Sequence, residues 1–382
     1  MVTGITDMNW KTGSLRQPAL FFILALQAFS LTGAASQDES ENDGWTSVIR
    51  NSPYWVSQGV YQNVQTIRSW VLAENAYCSE SERHILFDMR GRFLGWIANG
   101  PDTASTQQKL NSTRQSLHER GEVDSWLAGS EGQTGYPFAL ACDQPHVNLP
   151  EALARYLGTL PADRLWGRWD DLSFASNDQP GSLHDALLYV YSTRQQQGRL
   201  DLPAAMPGYL AGQLLIESGG QARAHSAANA RGILQLSQSA LSDCGLKPEN
   251  YWHRLAQIDC ALRLTNQNAR NLRPAFDARF GHLPEEKQDR LFTLLLIQAY
   301  HGGAARVQAL LEDETLARPA AYFAGHQERF TAGDIAFGMV FHNLGRDRLG
   351  LASLYYVADV QLATEALCRT PRLKDTDFCQ WN

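Results

Sequence analysis

One glutamate, Glu217, stands at the end of an apolar stretch and is followed by a serine and a pair of glycines. Leucines at helical spacing upstream of it predict a buried helix, and Gly219-Gly220 predict its end, because glycine adopts the left-handed conformation that terminates helices. The last carbonyls of a helix carry partial negative charge, and apolar neighbours exclude water. Both effects favour the protonated carboxyl group, which is the form that a general acid needs near neutral pH. The alternative is an ordinary helix-end glutamate, exposed or paired with Arg223 or Arg231.

Other kinds of site are not supported by the motifs of the chain. The ten histidines include no HExxH or comparable zinc spacing, and there is no CxxC pair and no GxSxG segment. The formal net charge of −7 and the absence of a glycine-rich phosphate loop argue against a nucleic-acid partner. We therefore expect an enzyme that needs neither a metal ion nor another cofactor.

Three further segments follow Glu217-Ser218 in a fixed order. Gln235 stands eighteen positions after the glutamate, at the end of Gly-Ile-Leu-Gln. The segment Ala-Tyr-His-Gly-Gly-Ala-Ala-Arg-Val contains Tyr300 and His301, and Tyr356 begins a late Tyr-Val pair. Together the four elements resemble the signature of the soluble lytic transglycosylases, the SLT-type family with a goose-lysozyme-like fold. The resemblance covers roughly residues 203–368, under half of the chain.

The chain departs from the pattern of that family at three places. His301 replaces the asparagine of the Ala-Tyr-Asn element, and the proline usual after the glutamine block is absent near Gln238. The Glu-Thr pair that precedes the late Tyr-Val is also missing. These differences bear on the fine geometry of the site and on the substrate subclass.

The resemblance implies a peptidoglycan lytic transglycosylase, in which Glu217 serves first as acid and then as base. The substrate's own 2-acetamido group assists departure at the anomeric carbon, and the C6 hydroxyl then closes a 1,6-anhydro ring. His301 is a candidate substrate contact as a polar stand-in for the asparagine, or else an outward loop residue. The other supporting roles are implied by the resemblance: Ser218 and Gln235 would bind the acetamido and neighbouring groups, and Tyr300 and Tyr356 would position the glutamate or the sugar. Each also has a structural explanation, as a helix cap for the glutamine or as core for the tyrosines.

Two alternatives to the transglycosylase remain open. A goose-type lysozyme on the same fold would hydrolyse the bond, and would need a positioned water and an acid such as Asp243 or Asp259 within reach of Glu217. A non-catalytic protein that binds or assembles peptidoglycan would keep the groove without turnover. The partner that the resemblance implies is the glycan strand of peptidoglycan, and the sequence does not say which proteins recruit the enzyme.

The amino terminus has the layout of a secretory signal, with Lys11 and Arg16 before an apolar segment and small residues at 33–36. We expect cleavage near Ala35 and export, to the periplasm of a Gram-negative bacterium, with a retained anchor as the alternative. After cleavage no integral membrane span is expected. The six cysteines suit an oxidising compartment, although they permit fifteen connectivities. Proximity favours three pairs: Cys244 with Cys260, Cys368 with Cys379, and Cys78 with Cys142.

The predicted architecture is mainly α, with a lysozyme-like helical catalytic domain at residues 201–382 preceded by a smaller α+β domain at 45–200 and a linker at 36–44. A hairpin is predicted from His84 to Ile97, and Ser173–Ser182 is the best internal boundary. Helices are predicted at 105–120, 149–157, 183–196, 255–271, 285–300, 304–311, 334–343 and 351–367. Four aromatic residues of the first domain are expected to be exposed and are candidates for stacking on sugars: Trp126, Tyr136, Trp166 and Trp169.

Overall fold

The computed structural model describes residues 44–72, 77–144 and 147–379. The predicted signal at residues 1–35 lies outside the described residues, as does the linker apart from Gly44. The part of the chain that is described is mainly helical, as predicted, with small sheets.

Thirteen α-helices and five strands are formed by the described residues. The helices, α1 to α13 in chain order, are Trp45–Arg50, Val60–Leu72, Thr103–Glu119, Leu149–Tyr156, Leu183–Gln196, Met206–Ser218, Gln238–Asp243, Arg254–Phe280, Glu285–Gly302, Ala304–Glu312, Arg318–Gly325, Ala332–Phe341 and Leu351–Cys368. The strands, β1 to β5, are Arg83–Phe87, Phe93–Ala98, Phe138–Ala141, Gly167–Trp169 and Leu172–Phe174.

The predicted hairpin is confirmed and is part of a three-stranded antiparallel sheet. β1 pairs with β2 in a register that places Ile85 opposite Trp96, and β3 pairs with the other side of β1. The turn is held by Asp88, whose Oδ1 accepts from the backbone N–H groups of Arg90 and Arg92 at 2.9 Å each. β3 was not predicted, because a four-residue strand is too short for alternation to be distinctive.

Helices α8, α9, α10, α12 and α13 begin within two residues of the predicted positions, whereas no helix is predicted at α11. The predicted end of α8 at Asn271 is wrong. The helix continues through Pro274 to Phe280. The proline ring lies on the exposed side, whereas Leu272, Ala275 and Phe276 on the other side are buried. Burial of this apolar stripe outweighs the loss of one backbone hydrogen bond at the proline.

The two large hydrophobic cores both contain residues from either side of position 200. In the first, Ile67 and Phe138 belong to the same cluster as Phe292 and Val360. The second cluster joins residues from α4 and α5 with residues from α6, α8 and α13. Residues 45–200 therefore share their cores with the part of the chain that carries the transglycosylase-like elements.

A buried ion pair ties α2 to α13. Arg68 Nε and Nη2 donate to the two carboxylate oxygens of Asp359 at 2.6 and 2.7 Å, and both residues are buried. Between the same two helices, the Tyr61 hydroxyl donates to Gln361 Oε1 at 2.7 Å. These contacts fix α13, the helix that also carries Tyr356.

Three disulfides join the cysteines in the predicted pairs: Cys78–Cys142, Cys244–Cys260 and Cys368–Cys379. Disulfides of this number are compatible with export to an oxidising compartment. Within the described ranges, no helix combines the length and the apolar composition needed to cross a membrane.

Candidate active site

Helix α6 delivers Glu217 to the site. Its first ten residues, Met206 to Leu215, are all buried, as expected for a helix that is apolar all round. The helix ends at Gly219, which adopts the left-handed conformation with φ 60° and ψ 25°. Glu217 therefore lies in the last turn, as predicted, where the backbone carbonyls disfavour a negative charge.

The carboxyl group of Glu217 has an elevated pKa. Burial raises the pKa from its ordinary value of 4.5 to about 7, and a hydrogen bond from Tyr356 lowers it to a smaller extent. The Tyr356 hydroxyl donates to Glu217 Oε1 at 2.5 Å. The side chain of Glu217 is half-buried. Its carboxyl group therefore has few water neighbours but is still partly accessible to solvent.

Tyr356 lies between Glu217 and two other side chains. Its hydroxyl accepts from Gln213 Nε2 at 3.5 Å, and its ring is stacked on the imidazole of His301, with 4.4 Å between centroids and 22° between planes. Burial, followed by the positive charge of Arg306, lowers the pKa of His301. The lowered pKa favours the neutral imidazole, which stacks on Tyr356 while remaining exposed itself.

Tyr300 holds the loop that follows α6. Its hydroxyl donates to the backbone oxygen of Leu234 at 2.6 Å. Burial, and then the nearby charge of Glu217, raise the pKa of Tyr300 well above its ordinary value of 10. The residue thus stays protonated, and the hydrogen bond that it makes is to the loop and not to the carboxyl group.

The polar atoms of Ser218 and Gln235 bind the backbone of the loop that follows α6. The Ser218 hydroxyl donates to Ile233 O at 2.7 Å and accepts from Gly220 N at 3.1 Å. Gln235 Nε2 donates to Ala224 O and Gly232 O at 3.0 and 2.9 Å. Both side chains therefore shape the loop next to Glu217-Ser218.

Gly232 allows this loop to pack directly on α8. Its φ is +75°, and a Cβ placed there would lie 1.8 Å from the Nε2 atom of Gln257. The buried Gln257 accepts from Leu234 N at 3.3 Å and donates to Tyr251 O. Sequence analysis did not identify Gln257, because its contacts lie far from it along the chain.

A residue of the first predicted domain also contacts the end of α6. Arg155, on α4, donates from Nη1 to the backbone oxygen of Gly219. Its guanidinium group supplies a positive charge next to the carboxyl end of α6, which is electrostatically favourable. The helix that carries Glu217 therefore ends on a contact with the segment 45–200.

Asp259 and Asp243, the two acids that a hydrolytic mechanism could use, differ from Glu217 in their partners and in their exposure. Asp259 is buried and accepts from Arg194 Nε at 2.6 Å, while Arg194 also binds Asp171 at 2.5 Å. Asp243 is the exposed last residue of α7. Among the described residues, no charged side chain contributes to the pKa of Glu217.

Of the four aromatic residues expected on the surface, one was predicted wrongly. Tyr136 is 3% exposed and packs edge-to-face on Phe138 in the first core. Trp166 is 52% exposed, whereas Trp126 and Trp169 are half-buried. The local sequence of Tyr136 could not show this, because its burial depends on the pairing of β3 with β1.

The residues around Glu217 come from five helices, α4, α6, α8, α9 and α13, and from one loop. Within the described ranges, no cluster of three or more His, Cys, Asp and Glu side chains is arranged to hold a metal ion. Comparison with protein-family models found no match to this chain, and comparison with curated proteins found none either.

Proposed function

We propose that this protein is an exported peptidoglycan lytic transglycosylase with a lysozyme-like arrangement of α6 to α13, acting in the periplasm of a Gram-negative bacterium. It would cleave the β-1,4 bond between N-acetylmuramic acid and N-acetylglucosamine and leave a 1,6-anhydro-muramoyl end. The observation that carries the proposal is Glu217, a lone acid whose pKa is raised to about 7 and whose carboxyl group accepts from Tyr356 at 2.5 Å.

In the proposed reaction, the protonated Glu217 donates its proton to the glycosidic oxygen as the bond to the anomeric carbon breaks. The substrate's 2-acetamido oxygen attacks that carbon and takes the place of a nucleophilic carboxylate. The ionised Glu217 then accepts the proton of the C6 hydroxyl, whose oxygen displaces the acetamido oxygen and closes the anhydro ring. The carboxyl group ends protonated, ready for another cycle, and no water is consumed.

The environment of the other acids favours this route over hydrolysis. A hydrolase with two carboxylates needs the second one about 5 to 10 Å from the first. Asp259 is neutralised by the buried Arg194, and releasing it to serve as a base would leave an unpaired buried charge. The elevated pKa of Glu217 also argues against a protein that only binds the wall. Ionisation of a buried carboxyl group near neutral pH lowers the stability of the fold, and a protein without catalysis would gain nothing from it.

The test is mass analysis of the products released from purified sacculi by the full exported chain. An anhydro end is one water lighter than a hydrolysed end, so a single spectrum separates the two activities. Anhydro-muropeptides support the proposal. Reducing ends of ordinary mass would establish a hydrolase, and binding to sacculi without release of muropeptides would establish a wall-binding protein.

We expect the rate of cleavage to fall as the pH rises through about 7. The first step requires protonated Glu217, and the fraction of that form decreases above its pKa, which burial raises to about 7. A glutamate with its ordinary value of 4.5 would lose activity more than two pH units lower. Initial rates of muropeptide release from pH 4 to pH 9 check this, and a midpoint near 4.5 would contradict the assignment of Glu217 as the acid.

A further inference from the structure

Gln213 is a buried polar residue in an otherwise apolar helix. It lies on α6 one turn before Glu217 and is 1% exposed. Burying a primary amide in an apolar helix costs free energy unless the amide is hydrogen-bonded. Its Nε2 atom donates to the hydroxyl of Tyr356, the same group that donates to Glu217.

The hydrogen-bonding capacity of a tyrosine hydroxyl determines which groups donate and which accept at Tyr356. The group has one proton to donate and lone pairs that accept. Because Gln213 offers an N–H to the oxygen, the hydroxyl proton is left for Glu217. Donation to the oxygen also polarises the O–H bond, so that the tyrosine becomes a stronger donor to the carboxylate. The distance of 3.5 Å between Nε2 and the tyrosine oxygen is at the long end for a hydrogen bond, and it would shorten as Glu217 ionises and charge is drawn toward the hydroxyl.

We propose that Gln213 is a positioning residue that acts on Glu217 through Tyr356 and sets the pH at which the acid gives up its proton. The role of Gln213 in a reaction rests on the proposed function, whereas its effect on the pKa of Glu217 can be measured without any reaction. In the first step the glutamate must release its proton, and the relay from Gln213 stabilises the carboxylate that results. In the second step the same carboxylate must take a proton back, so the strength of the relay is a compromise between the two steps.

The other elements around Glu217 contribute different groups. Helix α9 presents the neutral hydroxyl of Tyr300, which binds Leu234 O, and the neutral imidazole of His301, which is stacked on Tyr356. Helix α4 presents Arg155, whose guanidinium group binds the backbone of Gly219. None of these three makes the contact with the Tyr356 hydroxyl that Gln213 makes. Removal of the Gln213 amide should therefore be felt by Glu217 through the tyrosine.

The experiment is a ¹³C NMR titration of the Glu217 carboxyl group in the full exported chain, assigned by its absence in Glu217→Gln. Gln213→Met keeps the length of the side chain and removes the donor. We expect it to raise the pKa of Glu217 by about half a unit to one unit, and to move the basic limb of the pH–rate profile upward by the same amount. If Gln213 contributed only to folding, Gln213→Met would lower the cleavage rate at every pH and leave the midpoint of the pH–rate profile unchanged.

A matched control is Gln361→Met. Gln361 is also a buried glutamine bound to a tyrosine hydroxyl, that of Tyr61, and neither residue contacts Glu217. We expect it to lower stability as much as Gln213→Met does while the titration of Glu217 stays unchanged. If Gln213→Met does not fold, Gln213→Asn provides the second variant, since its amide is one methylene too short to reach Tyr356 and the same rise is expected.

The relay itself is tested in the background of Tyr356→Phe, in a double-mutant cycle. Without the hydroxyl, Gln213→Met should leave the titration of Glu217 unchanged. An equal shift of the Glu217 pKa in both backgrounds would overturn the inference, because Gln213 would then act without Tyr356. The inference would also be overturned if Gln213→Met alone left the pKa of Glu217 unchanged. Failure of the proposed function is distinguishable, since a wild-type protein that releases nothing from sacculi leaves the NMR outcome intact.

Discussion

Glu217→Gln is expected to reduce cleavage of peptidoglycan by about 10² to 10⁴-fold, the range that general acid catalysis typically contributes, or to abolish it. The amide is nearly isosteric with the acid and can still accept from Tyr356, so the geometry of the site is retained. Its amide protons are not acidic enough to be transferred to the glycosidic oxygen, and the uncharged amide cannot take a proton from the C6 hydroxyl. The measurement is the initial rate of muropeptide release from sacculi, with wall binding determined in parallel.

The same substitution should make the protein more stable at alkaline pH. Burial raises the pKa of Glu217 from 4.5 to about 7, so the stability contributed by the protonated group is fully present below 4.5 and is lost as the pH rises through 7. At pH 8, Glu217→Gln should raise the free energy of unfolding by as much as about 3 kcal/mol, and at pH 4 it should change it little.

A control for these effects is Glu365→Gln, on α13. This glutamate is half-buried and accepts from Gln361 Nε2 at 3.0 Å, but it has no contact with Glu217. We expect it to retain full activity. A rate for Glu217→Gln within a few-fold of the wild type, with Glu365→Gln equally active, would remove Glu217 from the mechanism.

Local sequence was sufficient to predict the setting of Glu217. The apolar residues upstream and the glycine pair downstream determine both the helix and its end, and these contacts are close in the chain. The disulfide pairs were also predictable, because two of the three loops are short: Cys244–Cys260 spans 16 residues and Cys368–Cys379 spans 11. Such features depend on neighbours along the chain and need no knowledge of the tertiary fold.

The partners of Glu217 could not be derived in the same way. Gln213 and Tyr356 are 143 residues apart, so a lone glutamine in the stretch Leu-Ala-Gly-Gln-Leu-Leu-Ile was the only local signal of a buried polar contact. Tyr300 and Tyr356 were selected through the resemblance, but the resemblance did not specify that one binds the loop and the other the carboxyl group. The contact of Arg155 with Gly219 also joins distant segments, 64 residues apart, and no local pattern indicates it.

A buried ion pair between the same two parts of the chain could not be predicted from local sequence either. Arg68 and Asp359 are 291 residues apart in the chain, and each alone resembles an ordinary surface charge. Their burial follows from the packing of α2 against α13, with the Arg68 guanidinium 4.9 Å from the centroid of the Tyr355 ring. The helix that carries Tyr356 is therefore held in place by the amino-terminal segment.

Asp359→Asn is expected to destabilise the protein by about 3 to 5 kcal/mol, because it leaves the guanidinium of Arg68 buried without a counter-charge. Both side chains of the pair are nearly inaccessible, at 4% and 7% exposure, so water cannot replace the lost carboxylate. The measurement is the free energy of unfolding from urea denaturation at neutral pH. The double variant Arg68→Met/Asp359→Leu removes both charges and should recover most of the loss.

The matched control is an ion pair on the surface. Arg120 Nε lies 2.6 Å from Glu122 Oε1, with side chains 54% and 44% exposed, and Glu122→Gln should change the free energy of unfolding by less than about 1 kcal/mol. If Asp359→Asn had an equally small effect, the contact between α2 and α13 would not depend on this pair. If Asp359→Asn had the expected effect on stability, its residual cleavage activity should be measured at low temperature. The variant loosens α13, which carries Tyr356, the donor to Glu217. The remaining activity therefore reports how far the position of Tyr356 depends on α2.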